Sequence, residues 1–243
     1  MDRLRPDVLG IHRFYETPLG KRASALIAER MIDFMPPKAD GITVGLGYAL
    51  PYLDAYEAAA EGHSRTLAFM PDRQGVCHWP TLTKSKSCLV DPFHLPLADS
   101  SVDQLILAHA LEHAHKPTHM LREVWRVLAA GGQAVVIVPN RMRAWSAAEA
   151  TPFGHGRPYS KKQLFRLMSD QMLPPDDWCT ALMLPPFQWR GASRLLNVSE
   201  GFIRILGRNL GGALVVCARK QVYGAIPKRI VRAKRVPVFT QAQ

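Results

Sequence analysis

The sequence predicts an α/β fold, a parallel sheet with helices on both faces, and three observations lead to it. Short apolar runs alternate with helix-length segments over about 100 residues, which is the signature of βαβ units. The run Gln133–Val138 is continuous and β-branched, as a strand buried on both faces should be. ITVGLGYALPYL, residues 42–53, reads as a strand entering a glycine turn and then a helix. Right-handed crossovers would put every strand-to-helix loop on one edge of such a sheet, where ligands bind.

Apolar positions at helical spacing, Leu19, Ala23, Leu26, Ile27, Met31 and Phe34, predict a helix over 11–35 that Pro36 and Pro37 end. Ile42–Val44 is the first strand, followed by a helix from about Pro51 that Gly62 stops. Thr66–Phe69 and Leu89–Val90 are short strands separated by a segment, 71–87, rich in turn formers. Val102–Ala108 is the fourth strand, and 117–129 an amphipathic helix capped by Gly131 and Gly132. Pro139 stops the strand at 133–138. A helix over Lys161–Ser169, capped by Ser160, precedes strands at Trp178–Leu184 and Ala213–Ala218. Between those two, residues 187–209 set aromatic and aliphatic side chains among Arg190, Arg194, Arg204 and Arg208. That is an amphipathic helical insertion, framing a pocket or lying on a membrane surface.

The chain has 243 residues, enough for one domain with a sizeable core, here taken as 1–220, with a tail at 221–243. No apolar run approaches the roughly 20 residues of a membrane span. The start, MDRLRPDVLG, lacks the apolar stretch of a secretory signal. Four scattered cysteines suit a reducing cytosol, so a cytoplasmic location is expected. The formal charge is +11, and Arg219 to Arg235 contains seven basic residues and no acid. Such a tail is a solvated end or a dock for nucleic acid, an anionic membrane surface or an acidic partner.

Gly45 and Gly47 allow a tight turn and close approach of a ligand, with Ala49 as the third small position. Alone this G-x-G-x-A is weak evidence. Residues 91–140 say more: Asp91, then LPLADSSVD (95–103), LILAHALEH (105–113), REVWRVLAAGG (122–132) and QAVVIVPN (133–140). This series resembles the class I S-adenosylmethionine-dependent methyltransferases, over roughly 40–165. The resemblance implies a Rossmann-like doubly wound sheet of seven strands, the last antiparallel, with S-adenosyl-L-methionine as cofactor. It implies that Gly45, Gly47 and Ala49 line the methionine and ribose part, that Asp91, Pro92 and Phe93 lie beside the adenine, and that His109 sits under the sulfonium.

Two positions depart from the family pattern. Thr43 stands where an acid usually precedes the first glycine, and Met70 where an acid ends the second strand and grips the ribose. Losing that acceptor should cost on the order of 1–3 kcal/mol. Asp72 can reach the ribose only if the turn curls back, and Tyr48 can pack on the cofactor.

Methyl transfer needs in-line placement first, and a base only for an acceptor with a proton of high pKa. His109 is the best base on chemical grounds, with Asn140 and His155 as further catalytic candidates. TPFGHGRPYS, 151–160, is a substrate lid or a simple connector. His109, His113, His115 and His119 lack the H-E-x-x-H spacing and are read as solvated, so no metal is expected. The leading function is direct methyl transfer to an anionic acceptor: RNA, a protein or a small molecule. The competing one is an inactive methyltransferase fold that serves a protein partner through an exposed sheet edge. A nicotinamide-dependent reductase fits poorly, without a third glycine or a Tyr-x-x-x-Lys pair.

Overall fold

The computed structural model describes residues 7–186 and 211–221. The expected insertion at 187–209 and the tail from 222 onward lie outside them. The single helix expected over 11–35 is two helices, α1 (Val8–Glu16) and α2 (Pro18–Phe34). Pro18 has no N–H to continue α1, and Thr17 turns extended, with its side chain accepting from the Gly20 N–H to cap α2. Asp7 caps α1 in the same way through the Gly10 N–H.

Next come β1 (Ile42–Gly47), α3 (Leu50–Ala59), β2 (Arg65–Pro71), β3 (Ser87–Val90) and β4 (Val102–Ala108). They are followed by α4 (Pro117–Val127), β5 (Leu128–Pro139), α5 (Lys161–Ser169), β6 (Pro175–Ala181) and β7 (Ala213–Arg219). The fourth strand and α5 match their expected bounds, and Ser160 and Gln163 cap α5 reciprocally. Strands β1, β2, β3, β5 and β7 run longer than expected, whereas β6 lies three residues earlier than the expected Trp178–Leu184 and ends at Ala181. α4 stops at Val127, because Leu128 already turns extended into β5, and Gly131 and Gly132 fall inside the strand.

The seven strands form one sheet in the order β3-β2-β1-β4-β5-β7-β6. All pairs are parallel except those made by β7, which runs antiparallel to both β5 and β6. Alternation along the strands splits the core into two layers. Ile106, Ala108, Val135 and Ile137 face α1, α2 and α3, whereas Leu105, Leu107, Val136 and Val138 face α4 and α5. No described helix is long and apolar enough to cross a membrane.

Candidate cofactor site

The chain order reverses between β1 and β4, so the crevice at the carboxyl edge of these strands is where a ligand is expected. A cavity of about 270 Å³ lies there, near the lower end of the roughly 300–1,000 Å³ of small-ligand pockets. Three chain segments build it. Pro71 to Gln74 follow β2, Asp91 to Phe93 follow β3, and His109, Ala110 and His113 to His115 follow β4, with Met120 of α4 behind.

Two carboxylates face this space. Asp91 Oδ1 accepts the Phe93 N–H at 2.9 Å, and Oδ2 lies 2.8 Å from His94 Nδ1. The bond to His94 and then that from Phe93 hold its carboxyl below the usual range, so it is an anionic acceptor at neutral pH. Asp72 arrives by the curl anticipated above: the N–H groups of Gln74 and Gly75 both return to Pro71 O, while the Asp72 N–H extends the ladder to Val90 O at 3.0 Å. Met70, by contrast, is buried and takes no part in the lining. Its sulfur accepts the Cys77 N–H at 3.2 Å.

The wall at 91–101 is held by α4. Glu123 Oε1 accepts the Leu95 N–H at 2.7 Å, and Arg126, paired with Glu123, donates to Leu95 O, Leu97 O and Asp99. The REVWR motif is thus the clamp for the LPLADSS loop. Burial pushes the Glu123 carboxyl up, but the bonds from Arg126 and Leu95 outweigh it and hold it low.

The glycine turn is arranged differently. Gly47 has φ +89°, and a Cβ there would lie 2.1 Å from Ala108 O, so glycine is required by the neighbouring strand itself. A Cβ on Gly45 would meet Leu53 and Ala49 side chains. Ala49 and Tyr48 are buried, and helix α1 lies over them. Tyr15 stacks on Tyr48 with ring centroids 5.6 Å apart and planes 6° from parallel, and His12 Nδ1 sits 2.9 Å from the Tyr48 hydroxyl. None of Gly45, Gly47, Tyr48 and Ala49 lines the cavity.

His109 lines the cavity at the junction of these two halves, almost fully buried, with the unusual backbone φ of +51°. Its Nε2 is 2.6 Å from the Tyr15 hydroxyl, and its Nδ1 is 3.2 Å from Glu112 Oε1. Gln74 donates to His109 O at 2.8 Å, and the Phe153 ring meets the imidazole edge-on at 5.0 Å. The 151–160 segment therefore packs an aromatic ring on the site rather than presenting a purely polar lid.

The other candidates stand apart from the cavity. Asn140 is buried and ties the end of β5 to Gly211 O through Nδ2 at 2.8 Å, and His155 Nε2 lies 2.8 Å from Glu149 O. His113 and His115 both line the cavity, and the His115 ring sits edge-on to Phe93 at 4.6 Å. His115 and His119 are exposed, as expected. Thr43, in the place of the expected acid, is fully buried.

Residues 44–136 match the family model described as a methyltransferase domain. That segment is similar to methyltransferase domains. Solved structures with this methyltransferase fold agree. A Thermotoga maritima S-adenosylmethionine-dependent methyltransferase, a possible histamine N-methyltransferase, superposes with TM-score 0.59 at 16% identity, covering 88% of this chain and 96% of that one. Geranyl diphosphate C-methyltransferase of Streptomyces coelicolor A3(2), solved with Mg2+, geranyl diphosphate and S-adenosyl-L-homocysteine, gives 0.57 at 17% identity over 83% and 82%. A putative methyltransferase of Haloferax volcanii, in complex with the Trm112 methyltransferase activator, gives 0.59 at 16% over 88% and 99%. Among curated proteins, the uncharacterized protein YafS of Escherichia coli (strain K12) is 30% identical over 149 residues. That match takes in 61% of this chain and spans just over half, 55%, of the relative's length.

Proposed function

We propose that this protein transfers a methyl group from S-adenosyl-L-methionine to an acceptor. The observation that carries the reading is the cavity at the β1/β4 switch point, with Asp72 and Asp91 on one side and His109 at its inner end. Asp91 is placed to accept from the adenine amine, Phe93 offers an apolar face to the ring, and Asp72 supplies the ribose acceptor that Met70 does not. The bound cofactor supplies an activated methyl group, and the residues here orient it, exclude water and hold the acceptor's proton. Gly45, Gly47, Tyr48 and Ala49 join the site only if Tyr15 moves from the glycine turn, so α1 acts as its cover.

In this reading residues 1–220 are one cytoplasmic domain, and the basic tail draws an anionic acceptor, an RNA, a protein or a small molecule. The seal over the glycine turn favours a second reading, a binding subunit that works with a protein partner. The partnered Haloferax relative and the edge position of β3, with Leu89 half exposed, are in keeping with it. Calorimetry with S-adenosylmethionine and S-adenosylhomocysteine separates the two. Heat of binding that weakens in Asp91→Ala supports the enzyme, with His109→Ala lowering turnover. No heat at millimolar ligand from the folded protein supports the binding subunit.

A further inference from the structure

We propose that Glu112 is a positioning residue that fixes His109 as a proton acceptor, its Nε2 lone pair held by the Tyr15 hydroxyl while α1 covers the glycine turn, an inference resting on the methyltransferase reading. The three groups form one buried line, Tyr15 hydroxyl to Nε2 at 2.6 Å and Nδ1 to Glu112 Oε1 at 3.2 Å. An ionised carboxylate only accepts hydrogen bonds, so Nδ1 must carry the proton and the neutral ring keeps its lone pair on Nε2. Burial, and after it the neighbouring Tyr52, raises the Tyr15 hydroxyl well above its ordinary value, so it remains an O–H and donates to that lone pair. The Tyr52 hydroxyl, 2.9 Å from that of Tyr15, extends the line.

Glu112 is an expensive way merely to fill space. Its side chain has no exposure, and Oε2 has no hydrogen-bond partner among the described residues. A buried carboxylate with so little compensation costs more than an apolar side chain of similar volume. Burial drives its carboxyl up, yet the opposing causes, the hydrogen bond from His109 first, bring it below its ordinary value. The ring has little freedom to answer otherwise, because the left-handed backbone at His109, the Gln74 bond to its carbonyl and the Phe153 ring fix it in place.

The chemistry that follows is a single proton transfer. Once Tyr15 moves from the glycine turn with α1, the Nε2 lone pair is free in the cavity that His109 lines, and a hydroxyl or amine acceptor gives its proton to it. The Tyr15 O–H is unchanged, one proton has moved, and the imidazolium is held against the Glu112 carboxylate. The arrangement suits acceptors whose nucleophile bears a proton, and adds nothing for one already deprotonated.

The test is the 15N spectrum of the His109 imidazole at neutral pH in the protein without cofactor. Wild type should show one tautomer, protonated at Nδ1 only. In Glu112→Gln the tautomers should mix, since an amide both donates and accepts, and Glu112→Asp should restore part of the preference. Tyr15→Phe should keep Nδ1 protonated and shift only the Nε2 signal. A wild-type ring protonated at Nε2, or at both nitrogens, overturns the inference without any variant, as does a Glu112→Gln spectrum unchanged from wild type. Calorimetry with S-adenosylhomocysteine, run alongside, reports on the methyltransferase reading alone, so a blank there and an unmoved tautomer are separate failures.

Discussion

The two halves of the crevice are built on opposite plans. On the β1 side the glycine turn is packed solid: Gly45 and Gly47 are pressed by Leu53 and Ala108, and Tyr48 is roofed by Tyr15. On the β3 side, Asp72, Asp91 and Phe93 border open space and are held from behind by the Glu123–Arg126 clamp. One half is closed by apolar and aromatic contact, the other kept open by hydrogen bonds. A glycine pattern in a sequence therefore reports a tight backbone, which need not be an exposed one.

The sharpest way to break that comparison is Gly47→Val. The side chain would meet Ala108 O and force a positive φ on a β-branched residue, and the loss of stability should be on the order of 3–4 kcal/mol, read from the denaturant midpoint. A variant as stable as wild type would mean the turn is loose and ready for a ligand. Glu123→Ala comes next. It strips the Leu95 N–H and Arg126 of their acceptor and should cost about 2–3 kcal/mol, with weakened S-adenosylhomocysteine binding, because the 91–101 wall loosens. Asp91→Ala leaves the fold intact and removes one charged acceptor. Loss of about 1.5 kcal/mol of binding, roughly tenfold in Kd by calorimetry, is expected.

The smallest effect lies at the amino-terminal ends of β1 and β4, opposite the crevice. There the Asp103 carboxyl is held low first by Lys38 and then by the Ile42 N–H. A depressed folded value means the stability it lends is present above the ordinary carboxylate range, near pH 4, and fades as pH falls through the lower folded value. Lys38→Met should shrink that acid-side loss by less than about 1 kcal/mol, with cofactor affinity unmoved.

Much of this fold could be read from residue order. β4 and α5 are legible because their apolar periods are unbroken and because Ser160 and Gln163 announce a capped start. The break at Thr17–Pro18 was less so, since the apolar spacing runs on through it while the backbone cannot. In the site, Asp91, Pro92, Phe93 and His109 were marked by a contiguous motif and do line the cavity. Asp72 depended on β2 running two residues past its apolar stretch to Pro71 and then curling. Glu112 lay in plain view in HALEH. Its meaning depends on the left-handed kink at His109, and Tyr15 reaches that ring across 94 positions that no local pattern connects.

The placement of β7 bears on how the chain matures as it is made. Among the described residues β6 pairs with β7 alone, and β7 slots between it and β5. During synthesis β6 must wait, its backbone amides and carbonyls satisfied only by solvent, until residues 213–219 emerge. The latest-made of the described strands therefore joins β5 to β6, and a ribosome that stalls in the stretch between 182 and 212 leaves a nascent chain with two raw strand margins open to mispairing.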